Sequence, residues 1–115
     1  MKKLLGVFFL IFILAGCAAK VQTTITQNYE PLDYREEVMV LYLNDSVPEN
    51  AIEIGEVKVG DSGLTMKCDY STVIQAAQME ARKAGGNAIK IIQHKTPDLF
   101  SSCHRITAKI LKIQN

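Results

Sequence analysis

Hydrophobic and polar positions divide this chain into unlike pieces. Residues 4–14 form a run of eleven uncharged, mostly apolar residues behind Lys2 and Lys3. Apolar positions then thin out until Val38-Met39-Val40-Leu41-Tyr42-Leu43, a near-continuous run of strand formers that predicts a first strand. Turn residues over 44–50 end it. Ile52, Ile54, Val57 and Val59, with Glu53, Glu56 and Lys58 between them, mark a second strand. Its alternation slips by one at Gly55, which predicts a bulge there. Val73, Ala76, Ala77, Glu80, Ala81 and Ala84 then recur at helical spacing, with Ile74 at the edge and Gln75, Gln78 and Arg82 pointing away. Asp69 or Ser71 is placed to N-cap this helix, and Gly85 to end it in the left-handed conformation. Residues 88–94 predict a third strand. Residues 104–113 predict a fourth, with Ile106, Ala108 and Ile110 on one face and Thr107, Lys109 and Leu111 on the other. The expected fold is α+β, in the order ββαββ over residues 36–115. One helix packs on one face of a mostly antiparallel sheet.

The N-terminal pattern carries an address. A basic start, an apolar run shorter than the ~20 residues of a membrane span, and a small-residue junction predict a secretory signal over 1–16. The junction Leu14-Ala15-Gly16-Cys17 resembles the lipobox of bacterial lipoproteins. That resemblance implies diacylglycerol on the Cys17 thiol, cleavage before Cys17, and acylation of the new amino group by a fatty acid such as palmitate. Each buried methylene of those chains adds ~0.8 kcal/mol of membrane affinity. Ala18 stands where, by analogy with enterobacterial sorting, an Asp would favour the inner membrane, so the outer membrane is the expected address. Residues 17–35 read as the lipidated cysteine and a polar tether without clear period. Tyr29 to Tyr34 are expected to pack on the domain edge, and the alternative is that 21–26 add a strand.

Composition narrows the classes. The 115 residues, 48% hydrophobic and 22% charged, suit one small domain. Loss of Lys2 and Lys3 takes the net charge from +1 to −1, so no nucleic-acid partner is expected. Three cysteines is an odd count. With Cys17 assigned to lipid, Cys68 and Cys103 remain, and an even pair in an oxidising compartment reads as a disulfide. The bond would tie the helix start to the start of the last strand. An alanine-rich helix and the absence of Trp leave a thin core that needs such a staple. A pair of thiols or metal ligands is the alternative.

The stretch Ile54-Gly55-Glu56-Val57-Lys58-Val59-Gly60 and the later Ala77-Gln78-Met79-Glu80-Ala81-Arg82-Lys83-Ala84-Gly85-Gly86-Asn87-Ala88-Ile89-Lys90-Ile91 resemble the YbjQ-type and RcsF-type domains. Shared features are a strand ending near a glycine, an Ala-x-x-x-Ala helix and a Gly-x-Asn-Ala turn into the next strand. The chain also resembles a group of uncharacterised small lipoproteins from Bacteroidetes. The resemblance implies a small α/β sandwich and, for the RcsF type, a disulfide-stapled sensor that signals envelope stress through partners. RcsF-type domains carry two disulfides and a long proline-rich tether. This chain has cysteines for one such bond and lacks that tether.

Candidate chemistry is sparse. His94 and His104 flank the loop between the last two strands, and with Cys68 and Cys103 they would supply two nitrogens and two sulfurs to zinc or copper. A disulfide would remove both thiolates, and two surface histidines at a strand end is the competing reading. Ser101 and Ser102 near His104 and Asp98 lack a nucleophile elbow. Glu36 and Glu37, and Glu53 and Glu56, do not form an evident carboxylate pair. Gly60-Asp61-Ser62-Gly63 lacks the Lys of a phosphate-binding loop. Glu80 is the odd residue of the alanine face, expected at its rim or paired with Lys83. These features predict a non-enzymatic, lipid-anchored envelope domain that binds a partner or itself, or senses envelope state, with no cofactor beyond the Cys17 lipid. Strand addition at a sheet edge is its natural docking mode. The alternative is a metal or small-ligand binder at His94 and His104.

Overall fold

The computed structural model describes residues 20–60, 68–99 and 101–114. The predicted signal and Cys17 lie outside these residues. The elements, in chain order, are β1 (Lys20–Ile25), β2 (Met39–Leu41), β3 (Ala51–Gly60), α1 (Tyr70–Ala84), β4 (Ala88–Lys95) and β5 (Arg105–Ile113). They form an α+β fold with one five-stranded sheet in the order β1-β3-β5-β4-β2. Every pairing is antiparallel except that of β2 with β4. Because β5 inserts between them, β3 and β4 run parallel, and α1 is the crossover of a split β-α-β unit.

The order differs from ββαββ by one strand. Residues 20–25, expected within the tether, pair with β3 from Lys20↔Gly60 to Ile25↔Gly55. This is the alternative reading of that segment, and it shortens any tether. The reason it lacks a hydrophobic period is its position. Val21 through Ile25 are all exposed on an edge strand, so burial imposes no alternation on them. Of the two tyrosines expected on the domain edge, Tyr29 packs against the core and Tyr34 is 82% exposed.

The predicted bulge is present. The register of β3 on β5 shifts between Glu53 and Gly55. A Cβ on Gly55 would sit 2.7 Å from the Thr24 carbonyl oxygen, so the glycine is what lets β1 pair closely here. A second shift, which the sequence pattern did not predict, lies on β4 between Ile91 and Gln93.

One sheet face carries the core. Ile54, Val57 and Val59 of β3, Ile89 and Ile91 of β4, and Ile106, Ala108 and Ile110 of β5 lie under α1. The helix answers with Val73, Ile74, Ala77, Ala81 and Ala84. Ala77, Ala81 and Ala108 are fully buried, so small side chains bring helix and sheet close. Asp69 is the N-cap residue, and Thr72 Oγ1 donates to its Oδ1. Gly85 ends the helix at φ +85°, and its N–H donates to the Arg82 carbonyl. Asn87 then stitches the turn to β5: its Nδ2 donates to the Ile113 carbonyl at 3.0 Å and its Oδ1 accepts from the Ile113 N–H at 2.7 Å.

Candidate functional site

The sequence singled out two cysteines and two histidines, and the fold brings them to one end of the helix–sheet sandwich. Cys68 precedes α1 and Cys103 precedes β5. They are joined in a disulfide with Cα atoms 4.9 Å apart. Both are buried. The His104 N–H donates to the Cys68 carbonyl at 3.0 Å, so the bridge and the histidine are held as one unit.

His94 reaches this unit because of the β4 bulge. Ile89 and Ile91 pair with Ile110 and Ala108 on the helix side. Uninterrupted alternation would then place Gln93 on the helix side and His94 on the open side. The register shift instead sets Gln93 opposite Thr107 and His94 opposite Ile106. Past the bulge, His94 therefore shares the face of the helix and of His104.

The two rings meet. His94 Nε2 lies 2.9 Å from His104 Nδ1. Tyr70, the first residue of α1, stacks flat on His94 with centroids 4.1 Å apart and lies 5.5 Å from the His104 ring. Tyr42 meets Tyr70 edge-on at 6.3 Å. Burial lowers the His94 pKa below its ordinary value, and a charge on His104 lowers it further. Burial also raises the Tyr70 hydroxyl above its usual range. One imidazole must donate the shared hydrogen bond and the other accept it.

This arrangement can share a proton, or hold a cation between two ring nitrogens. It cannot offer the two thiolates of the alternative zinc or copper set, because both sulfurs are in the disulfide. Among the described residues no cluster of three or more His, Cys, Asp or Glu side chains forms a metal-sized group. The trio of Ser101, Asp98 and His104 does not form a relay. His104 Nδ1 faces His94, while Asp98 Oδ1 accepts from the Ser101 N–H and Asp98 Oδ2 pairs with Arg105 at 3.0 Å. Glu80 pairs with Lys83 at 3.1 Å and accepts from Thr23 Oγ1 at 2.9 Å, which ties the helix to β1. Glu53 pairs with Lys109. The glycine-rich turn expected over 60–63 extends past Gly60 beyond the described residues.

Sequence reasoning missed Tyr70. Its signal was present: Tyr70 precedes Val73, Ile74 and Ala77 by three, four and seven residues, the spacing of one helical face. No protein family, curated protein or solved structure matches this chain.

Proposed function

We propose that this chain is a lipid-anchored, non-catalytic domain of the cell envelope, held in the outer membrane through Cys17. In this reading it binds an envelope partner, or a second copy of itself, by strand addition. The observation that carries the docking part is β1. No described strand covers its outer edge, and Lys-Val-Gln-Thr-Thr-Ile contains neither proline nor glycine to blunt that edge. Thr26 N–H donates to the Ile54 carbonyl, so by the alternation of an antiparallel ladder the N–H groups of Val21, Thr23 and Ile25 point away from β3. They are the free half of a strand-pairing surface. The lipobox resemblance supports the anchor, and the RcsF-type resemblance agrees with a stapled domain that works through partners.

The test uses crosslinking in cells followed by affinity capture of the full chain. One partner, or the chain itself, should be recovered through β1, and Val21→Pro should abolish the product. Proline removes an outward N–H while leaving the β3 side of the ladder intact. A product unchanged by this substitution would sink edge docking. Globomycin-type inhibition of lipoprotein processing should leave a heavier, uncleaved chain.

A second reading rests on one distance, the 2.9 Å between His94 Nε2 and His104 Nδ1. A small rotation of both rings would let these nitrogens share a Zn²⁺ or Cu²⁺ ion, with the remaining positions filled by water or ligand. Metal content of the purified protein, and its loss in His94→Ala with His104→Ala, decide this reading. Absence of metal, together with a melting temperature unmoved by added zinc or copper, would eliminate it.

A further inference from the structure

The sheet face opposite the helix is ordered in rows. Gln22 pairs with Lys58, Lys58 with Thr107, and Thr107 with Gln93, so four polar residues cross β1, β3, β5 and β4 in a line. In the next row toward the sheet end, Lys20 is opposite Gly60 and Lys95 is opposite Arg105. Gln22, Lys58, Gly60, Gln93, Lys95 and Arg105 line a concavity of about 240 Å³, with Gly60 leaving open the space that a side chain would take.

Its charge is unusual for a chain whose formal net charge is only +1. Lys95 and Arg105 are directly opposed like charges, an arrangement that costs stability in a sheet. Lys58 lines the same hollow. Among the described residues the acidic groups nearby are few. Asp98 is engaged with one edge of Arg105, and Glu56 lies one row away opposite Lys109. The Arg105 guanidinium is also held by the Thr96 carbonyl at 3.1 Å, while its Nε is buried without a hydrogen-bond partner. A fixed Arg and two lysines around neutral donors from Gln22, Gln93 and Thr107 are the chemistry that receives a phosphate group.

The position of the hollow argues for the source of that phosphate. β1 begins at Lys20, three residues after Cys17, and Lys20 is registered against Gly60 at the hollow's end of the sheet. Three residues span at most about 11 Å. A lipidated Cys17 therefore holds this end of the sheet at headgroup depth, and the hollow opens on the face of that end away from the helix. We propose that the hollow lined by Lys58, Lys95 and Arg105 binds the phosphate of an anionic lipid headgroup and fixes how the domain sits on its membrane. The inference rests on the anchored reading for its geometry and on the hollow alone for its chemistry.

The test is a lysine-acylation footprint of the native full chain in nanodiscs, read by mass spectrometry. In phosphatidylglycerol discs, labelling of Lys58 and Lys95 should fall about fivefold relative to phosphatidylcholine discs, the effect of one cation meeting an anionic surface. Lys83 on the helix, 69% exposed, should label alike in both. Equal labelling of Lys58 and Lys95 in the two lipids would overturn the inference. So would equal protection by millimolar inorganic phosphate in phosphatidylcholine discs, which would assign the hollow to a soluble anion. The N-terminal peptide of the same sample reports the mass on Cys17. An unmodified Cys17 with Lys58 and Lys95 still protected would remove the anchor and leave the headgroup site standing.

Discussion

His94 Nε2 and His104 Nδ1 lie 2.9 Å apart beneath the face of Tyr70, so the two imidazoles are hydrogen-bonded in a partly buried stack. Folding depresses the His94 pKa, chiefly through burial and then through repulsion by a charged His104. The unfolded chain therefore binds more protons here than the folded one. The contribution of His94 is complete above the ordinary histidine pKa of about 6.5, and it is lost as pH falls toward the lowered folded value. The melting temperature should drop between pH 7.5 and pH 5. His94→Gln, which cannot take up a proton in this range, should flatten that drop. An equal drop in the variant would show that other groups carry it.

Reducing the Cys68–Cys103 bond should destabilise the domain by about 4 kcal/mol, because the bond closes a loop across a sequence separation of 35 and the unfolded chain regains that freedom. Cys68→Ser with Cys103→Ser should shift the urea midpoint accordingly. The effect should extend to the histidines, since His104 is held by the Cys68 carbonyl. Native protein that titrates with two free thiols would contradict the bond itself.

Gly55 should prove specific to β1. A methyl group there meets the Thr24 carbonyl oxygen at 2.7 Å, so Gly55→Ala forces β1 and β3 apart. Faster amide hydrogen exchange over 20–26, with slow exchange retained in β4 and β5, is the expected pattern. Uniform acceleration across the sheet would mean that β1 is integral to the core rather than a separable edge.

Gly85→Ala should cost about 1 kcal/mol from the left-handed conformation at φ +85° alone. It should cost more from contact with the Glu30 carbonyl oxygen at 2.5 Å. Gly60→Ala is the comparison, because its nearest neighbour is Arg105 Cγ at an ordinary 3.7 Å. Denaturant melts should therefore show a clear loss for the first and little for the second.

Much of the fold was legible because it is locally encoded. The alanine face of α1, the Gly85 stop and the alternation of Ile106, Ala108 and Ile110 each follow from spacing within one segment. The slip at Gly55 was legible too, since a buried strand shows a phase error as a misplaced apolar residue. β1 was not legible as a strand by the same logic, because Val21 to Ile25 are exposed and nothing enforces a period. The β4 bulge was hidden because Ile92 fills it with an apolar residue that resembles a continuous buried run.

Local spacing by itself determined the helix and the core face of the two central strands, and the cysteine count made Cys68 and Cys103 an expected disulfide beside a thiol or metal pair, which the fold resolved as the bond. Tertiary structure alone decided which side of the sheet His94 occupies, and that Gln22, Lys58, Thr107 and Gln93 form one row. Facing in a sheet has period two, so one unpaired residue reverses every side chain beyond it. Whether a residue is unpaired depends on the partner strand, here β5, and not on the segment that contains it. The chemistry of both faces is thus set by register between distant strands, which local spacing does not carry.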